Sequence, residues 1–297
     1  MDQEEDPRNE KSLVSVVARK NHCWASSISG GNIVLIAITR EVSCNMRHCE
    51  ISHIPRQDID IDLARKQHAQ YERVLVDLGC KLKRLTEEPL LPDSVFVEDT
   101  AIILNEMVIM ARPGAETRRG ETRSVSEVLS EYRIIYQIVS PGTLDGGDVI
   151  QMGRTLYVGI TDRSNESGIM QLIDLVSPYE YEVIKVQVDG CLHLKSAATP
   201  VGEDKLLINR SWVDVKSFEG KSLIDINPGE PYAANALFIN GEIVYPAAFP
   251  ETRRCLEDTG FPVRVVDVSE LQKAEGGVTC CSLIFRDESP TNNELDA

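Results

Sequence analysis

The sequence lacks every long apolar run and every short motif that would assign its chemistry at once. No stretch of 18 apolar residues occurs, which argues against a membrane-spanning helix. The patterns C-x-x-C and H-E-x-x-H are missing, which argues against a thioredoxin-type couple and a zincin-type metal site. G-x-S-x-G, G-x-x-x-x-G-K-[ST] and G-x-G-x-x-G are missing too. A serine nucleophile elbow, a P-loop and a dinucleotide fingerprint are therefore excluded.

Positive charge is also scarce. The chain has 47 acidic and 31 basic residues and a net charge of −16. Such a balance argues against nucleic acid and anionic membrane as partners, and it suits a protein that attracts cations. The acidic N-terminus is unlike a signal peptide. Together with eight irregularly spaced cysteines, it predicts free thiols and a cytoplasmic location rather than a disulfide framework.

The composition along the chain predicts one folded domain between two polar ends. Residues 1–30 are charged and then rich in serine and glycine, which indicates a flexible extension. Residues 287–297 form a second polar tail. The catalytic domain is expected to span residues 31–286, where strands alternate with helices. The clearest helix is predicted over residues 60–78, because apolar residues recur there at intervals of three and four.

A repeat runs through this domain. Three units have a polar lead-in, a strand, a two-residue turn signal and a second strand, and single-strand counterparts begin near His193 and Cys280. In three intervals a helix and a further strand follow. The landmarks are about 40 to 50 residues apart, a period typical of propellers or solenoids; they are Asp99, Asp148, Ser196, Asn235 and Ser282. The repeat predicts an α/β fold of five ββαβ modules around an axis. In such a ring the polar lead-ins converge at one end.

Two adjacent cysteines, Cys280 and Cys281, stand just before the last predicted strand. They follow Glu275-Gly276-Gly277, where glycine lets the backbone approach closely or adopt positive φ. A thiol at this position is suited to be a nucleophile, although ordinary buried thiols are the alternative. A cysteine nucleophile needs an acid or base partner. His193 is the one histidine of five that lies at a lead-in.

Carboxylates crowd the other lead-ins. Asp93, Glu98 and Asp99 lie within seven positions, and Asp145 and Asp148 flank two glycines. Carboxylates that converge at one end of the ring repel each other unless they bind a cation. Because no metal-ligating pattern appears, we expect no metal, and an organic cation such as guanidinium fits better.

Five motifs in order resemble the dimethylarginine dimethylaminohydrolase family of the guanidine-modifying, or pentein, superfamily. The likeness runs from about residue 35 to 285 and implies a five-bladed α/β propeller. The motifs are Pro92–Asp99, Arg112–Ala115, Thr143–Val149, Leu192–Ser196 and Val278–Ser282.

The resemblance also implies roles for individual residues. Cys280 would be the nucleophile, His193 the general acid and base, and Asp145 the acid that orients His193. Glu98 and Asp99 would bind the guanidinium, with the Ala274 carbonyl as a further contact. Asp93 would contact the α-amino group, and Arg118 and Arg163 would bind the carboxylate. The segment from Ser43 to His53 would form a lid.

The implied reaction is hydrolysis of Nω-methylated arginine to citrulline and methylamine or dimethylamine through a covalent cysteine intermediate. No cofactor is expected, and the protein is expected to be a monomer or homodimer. Alternatives stay open at this point: an arginine or agmatine deiminase, an amidinotransferase, a non-catalytic binding protein of the same fold, or a redox-sensing thiol protein.

Overall fold

The computed structural model describes residues 34–287, which form five three-stranded sheets. In each sheet the middle strand pairs antiparallel with one neighbour and parallel with the other. The sheets are β15 (Leu283–Asp287), β1 (Val34–Arg40) and β2 (Cys80–Leu85); β3 (Ala101–Ile103), β4 (Met107–Met110) and β5 (Ile134–Gln137); β6 (Val149–Met152), β7 (Thr155–Ile160) and β8 (Glu182–Gln187); β9 (Ala198–Pro200), β10 (Lys205–Ile208) and β11 (Ser222–Asp225); and β12 (Leu237–Ile239), β13 (Glu242–Pro246) and β14 (Val263–Val266).

Helices complete the modules. Four sheets have an α-helix between their second and third strands, and the sheet of β9 has a 3-10 turn at Val215–Phe218 instead. The α-helices are α1 (Ile61–Asp77), α2 (Thr122–Leu129), α3 (Glu166–Val176), α4 (Leu194–Ala197), α5 (Pro250–Glu257) and α6 (Ser269–Gln272). None of the helices in residues 34–287 is long and apolar enough to cross a bilayer. The architecture confirms the predicted five-bladed α/β fold.

The ring is closed by the two ends of the domain. β15, near the C-terminus, pairs antiparallel with β1, near the N-terminus, with Ile36 opposite Phe285. Apolar side chains pack between neighbouring blades, so Ile36 and Phe285 share one core cluster with Val108 and Leu129 of the next blade. The predicted extension (residues 1–30) and the predicted tail, apart from Asp287, lie outside the described residues.

Helix α1 shows why the sequence folds this way locally. Asp60 caps its N-terminus, because the carboxylate accepts a hydrogen bond from Leu63 N at 3.0 Å. Ala64, Tyr71 and Leu75 lie on one face at helical spacing and are fully buried. The predicted helix over residues 60–78 is confirmed to within one residue at each end.

The polar lead-ins predicted before the strands form short helical turns. These 3-10 turns, at Val97–Thr100 and Gly146–Asp148, precede β3 and β6. These turns pack so closely that a Cβ on Gly146 would lie 2.0 Å from the Glu98 carbonyl oxygen. The lead-ins are therefore compact turns that direct acidic side chains toward the axis.

The chain after His193 also differs. A single strand was expected there, but His193 caps the short helix α4, and β9 then pairs with β10 as a hairpin. The physical reason is that the Asp148 carboxylate accepts Leu194 N at 3.0 Å and fixes a helical turn.

Helix α1 also buries a histidine that should make stability depend on pH. Burial lowers the pKa of His68 from 6.5 to about 4, and its Nε2 has no hydrogen-bond partner among the described residues. The unfolded chain therefore binds a proton between pH 6.5 and 4 that the folded protein does not. We expect the full stability contribution above pH 6.5 and a loss of about 3 kcal/mol as the pH falls to 4.

The variant His68→Leu removes this proton-binding difference. Denaturant unfolding from pH 7.5 to 4.5 is expected to give a smaller loss of stability in the variant than in the unchanged protein. Equal losses in the two proteins would contradict the assignment to His68.

Candidate active site

The five lead-ins meet at one end of the ring and are joined by hydrogen bonds in a closed circuit. Each bond links a lead-in to that of the next blade, so the position of every site residue depends on all five. The bonds run from Glu98 N to Cys280 O (3.1 Å), from Gly147 N to Asp99 Oδ1 (3.1 Å), from Lys195 Nζ to Gly146 O (3.1 Å), from Asn235 Nδ2 to Lys195 O (3.1 Å), and from Asn235 Nδ2 to Thr279 Oγ1 (2.9 Å).

His193 lies between two carboxylates. Its Nε2 is 3.0 Å from Asp145 Oδ2, and its Nδ1 is 3.7 Å from Asp99 Oδ1. Burial favours the neutral ring, but the charges of Asp99 and Asp148 and the hydrogen bond to Asp145 outweigh it and raise the pKa of His193 to about 9. The imidazole is therefore protonated at neutral pH and can donate a proton.

The glycine pair after Asp145 makes room for this ring. A Cβ on Gly147 would lie 2.8 Å from His193 Nδ1 and 2.6 Å from Asp99 Oδ1. Asp145 itself is fully buried, and its second oxygen accepts Gly114 N at 2.9 Å. The carboxylate is thus fixed on both oxygens and orients the imidazole.

Asp148 holds the turn that carries His193. Its carboxylate accepts hydrogen bonds from the hydroxyls of Thr161 and Ser164 as well as from Leu194 N. Complete burial raises the pKa of Asp148 to about 6, although the charge of His193 opposes this. The residue positions the turn that carries His193.

The two cysteines have different surroundings. Cys280 lines the cavity beside His193, and its Sγ accepts Gly277 N at 3.2 Å. Cys281 is fully buried in a core cluster, with its Sγ directed to Gly277 O at 3.6 Å. Burial, together with the charges of Glu98 and Asp99, raises the pKa of the Cys280 thiol well above its usual range. The thiol of Cys280 is therefore neutral in the site without substrate.

Glu98 lies deeper than expected. Its carboxylate accepts hydrogen bonds from Lys195 Nζ and Thr279 Oγ1, both at 2.7 Å. Glu98 and Lys195 line a second cavity of about 410 Å³, which is bordered by all five first strands of the blades. The pair forms a charged floor between this cavity and the site.

Arg118 is held by carboxylates. It donates to Asp99 Oδ2 at 2.8 Å and to both oxygens of buried Glu121. The Arg118 and His193 charges keep the pKa of Asp99 below its usual range although burial opposes them. Arg118 thus fixes the Asp99 carboxylate as an anion, and its contact to a substrate carboxylate stays a prediction.

Arg163 and Asp93 both contact the segment from Ser43 to His53. Arg163 Nη1 is buried and without a hydrogen-bond partner among residues 34–287, while its Nη2 donates to Ser52 Oγ at 3.2 Å. Asp93 is buried and accepts Glu50 N at 3.1 Å and 3.2 Å. An anionic group of a ligand could pair with Arg163, and a cationic group could pair with Asp93.

Seven of the nine predicted residues line one narrow cavity of about 20 Å³, which has room for little more than a water molecule. The seven are Asp93, Asp99, Arg118, Arg163, His193, Ala274 and Cys280. Of the other two, Asp145 lies behind the His193 ring and Glu98 lies in the floor.

The sequence analysis missed other residues of the site. Lys195 lies two positions after His193, and its place inside the motif Leu192–Ser196 is the signal that could have found it. Tyr71 donates to Val278 O at 2.8 Å and hydrogen bonds with Ser282 Oγ at 2.7 Å, bracing the turn that carries Cys280. No local pattern connects Tyr71 to that turn.

One cluster of side chains in the site has the residue types that can bind a metal ion. Among the described residues, Asp99, Asp145 and His193 bring ligand atoms within 4.8 Å of one another. However, the carboxylates already accept Gly147 N, Gly114 N and the imidazole N–H. The donor set therefore fits proton transfer better than metal binding.

Comparison with known proteins decides the family. The family model described as "N,N dimethylarginine dimethylhydrolase, eukaryotic" matches residues 45–226. The chain belongs to the dimethylarginine dimethylaminohydrolase family. A relative of that name from Pseudomonas aeruginosa is 34% identical over 236 residues, which cover 79% of this chain and 92% of the relative.

Solved structures of dimethylarginine dimethylaminohydrolases have the same fold. A cysteine-to-serine variant of the Pseudomonas aeruginosa protein, complexed with citrulline, superimposes with a TM-score of 0.81 at 30% identity, covering 85% of this chain and all of that one. A histidine-to-glycine variant, present as an adduct with S-methyl-L-thiocitrulline, gives a TM-score of 0.80 at 32% identity, covering 84% and 98% of the two chains.

Proposed function

We propose that this protein hydrolyses Nω-methylated arginines to citrulline and dimethylamine or methylamine. One observation carries the proposal: a single cavity is lined by a thiol, a buried imidazole, carboxylates and a guanidinium whose Nη1 has no hydrogen-bond partner among the described residues. This arrangement matches a substrate with a guanidinium group at one end and an amino acid head group at the other. The family's citrulline and thiocitrulline complexes agree with such a ligand.

Substrate binding is proposed to pair the charged groups that line the cavity with opposite charges on the substrate. Asp99 and the Ala274 carbonyl would accept hydrogen bonds from the guanidinium, with Glu98 adding negative charge from the floor. Asp93 would accept the α-ammonium, and Arg163 Nη1 would donate to the α-carboxylate. These pairings hold the guanidinium carbon beside Cys280.

The first chemical step forms a bond between Cys280 Sγ and the guanidinium carbon. Binding of the cation lowers the pKa of the thiol, which loses its proton to solvent and attacks. The bond from that carbon to the methylated nitrogen then breaks, and the His193 imidazolium gives its proton to the departing amine. An amine leaves, and the substrate carbon remains as an S-alkylthiouronium on Cys280.

The second step releases the product. His193 is now neutral and takes a proton from a water molecule that attacks the thiouronium carbon, while Asp145 holds the ring in place. The carbon–sulfur bond then breaks while the new hydroxyl becomes the ureido oxygen and passes its proton to the Cys280 sulfur, so the thiol is restored and citrulline leaves. The protein's own side chains suffice for both steps, so we propose that no cofactor is needed.

The remaining expectations stay proposals. The seven described cysteines are free thiols, which supports a reducing compartment such as the cytoplasm. A monomer or a homodimer remains the expected assembly.

The test is a substrate panel. Purified protein is assayed for ureido product with asymmetric dimethylarginine, monomethylarginine, arginine and agmatine. Turnover of the methylated substrates alone is expected. Turnover of arginine or agmatine instead would assign a deiminase, and silence on all four would reject the proposal.

A further inference from the structure

The cavity at the candidate site is too narrow for the proposed substrate. A cavity of about 20 Å³ cannot contain a dimethylarginine, so a covering element must move. The covering element is the lid segment, residues 43–53, which supplies Glu50 to the cavity lining and Ser52 to Arg163. Its first half is anchored by Met46 and Cys49, which are buried in the core.

The second half of the lid segment is held by polar contacts. The Glu275 carboxylate accepts three consecutive backbone N–H groups, from Ser52 (3.0 Å), His53 (2.5 Å) and Ile54 (3.0 Å). Hydrogen bonds to a charged acceptor are about twice as strong as neutral ones. Ser52 and His53 are themselves exposed, so little apolar burial holds them in place.

The backbone conformation at Glu275 also indicates that this side chain has a specific role. Its φ is +60°, a left-handed conformation that a residue with a side chain adopts only at a cost, and that glycine adopts freely. The next two residues are glycines with no room for a side chain, because a Cβ on Gly276 would lie 2.2 Å from the Phe96 ring and one on Gly277 2.3 Å from Asn235 Oδ1. A glutamate in this strained position indicates that its side chain is needed there.

We propose that Glu275 is a latch that fastens the lid segment to the loop bearing Ala274 and Cys280. Glu275 acts as a positioning residue, since its contacts are with the lid backbone. Opening the latch exposes Cys280 and admits substrate. Closing it returns Glu50 N to Asp93, the carboxylate that would hold the substrate's ammonium group. The effect on catalysis rests on the proposed function, whereas the latch itself does not.

The experiment uses Glu275→Gly, which removes the carboxylate and relieves the left-handed strain. Glu180→Gly is the matched control, because Glu180 also has a φ of +60° but lies between α3 and β8, away from the lid. Hydrogen exchange of the Ser52, His53 and Ile54 amides is expected to be at least about tenfold faster in Glu275→Gly. Its melting temperature should be no lower than that of the unchanged protein.

Two further measurements separate the opening of the lid segment from its effect on catalysis. Iodoacetamide should alkylate Cys280 faster in Glu275→Gly, with exposed Cys255 as an internal reference. The KM for dimethylarginine should rise severalfold while Glu275→Gln shows a smaller rise. If the unchanged protein turns over no methylated arginine, the exchange result still decides the latch. Unchanged exchange in Glu275→Gly, or equal acceleration in Glu180→Gly, would overturn it.

Discussion

Replacing Cys280 with alanine is expected to lower kcat/KM for asymmetric dimethylarginine by a factor of about 10⁴ or more, because no covalent bond to the substrate can then form. The fold should survive, since Cys280 lies at the cavity wall rather than inside a core cluster. Substrate binding should persist as well, because Asp93 and Arg163 are unchanged. Steady-state kinetics, with calorimetry for binding, measures both.

Cys281→Ala is the matched control for this variant. It removes the neighbouring thiol, which is fully buried and directed away to Gly277 O. We expect about 1 kcal/mol of lost stability from the small cavity and retention of most of the activity. Loss of turnover in Cys281→Ala, with turnover kept in Cys280→Ala, would exchange the roles of the two residues.

Replacing His193 with alanine is expected to lower kcat/KM by a factor of about 10² to 10⁴, because a departing amine needs a proton. In the unchanged protein the pKa of His193 is raised to about 9, so the acid form is present below that pH. The rate of amine release should therefore fall as the pH rises through about 9. A pH profile of single-turnover amine release measures this.

A substrate with a different leaving group separates the two roles of His193. A thiolate leaves without receiving a proton, so S-methyl-L-thiocitrulline should still react with Cys280 in His193→Ala. The covalent product should then accumulate, because no base activates water. Equal impairment with both substrates would show that His193 is not the acid for the leaving amine.

Local patterns predicted the repeating part of the fold well. The helical spacing of Ala64, Tyr71 and Leu75 located α1, and the apolar run at Leu283 located β15, because both elements bury side chains with a regular period. The lead-ins were not predicted as turns. Their shape depends on contacts with other blades, such as the approach of Gly146 to the Glu98 carbonyl.

The residue types of the site were predictable, whereas their pairings were not. Polar residues at the lead-ins pointed to Cys280, His193 and the acids, and the ring brings those residues together. The partners that set their charge lie far away in sequence. Glu98 meets Lys195 across 97 positions, and Glu275 meets Ser52 across 223. Such contacts depend on the closed ring, which no single stretch of sequence encodes.

The most direct test of the account is to look for the covalent intermediate on Cys280. The protein is mixed with asymmetric dimethylarginine, quenched in acid within one turnover, digested and analysed by mass spectrometry. The account predicts a thiouronium adduct on the peptide that contains Cys280, appearing before citrulline and disappearing with it. Citrulline formed without any adduct, or an adduct on a different cysteine, would contradict it.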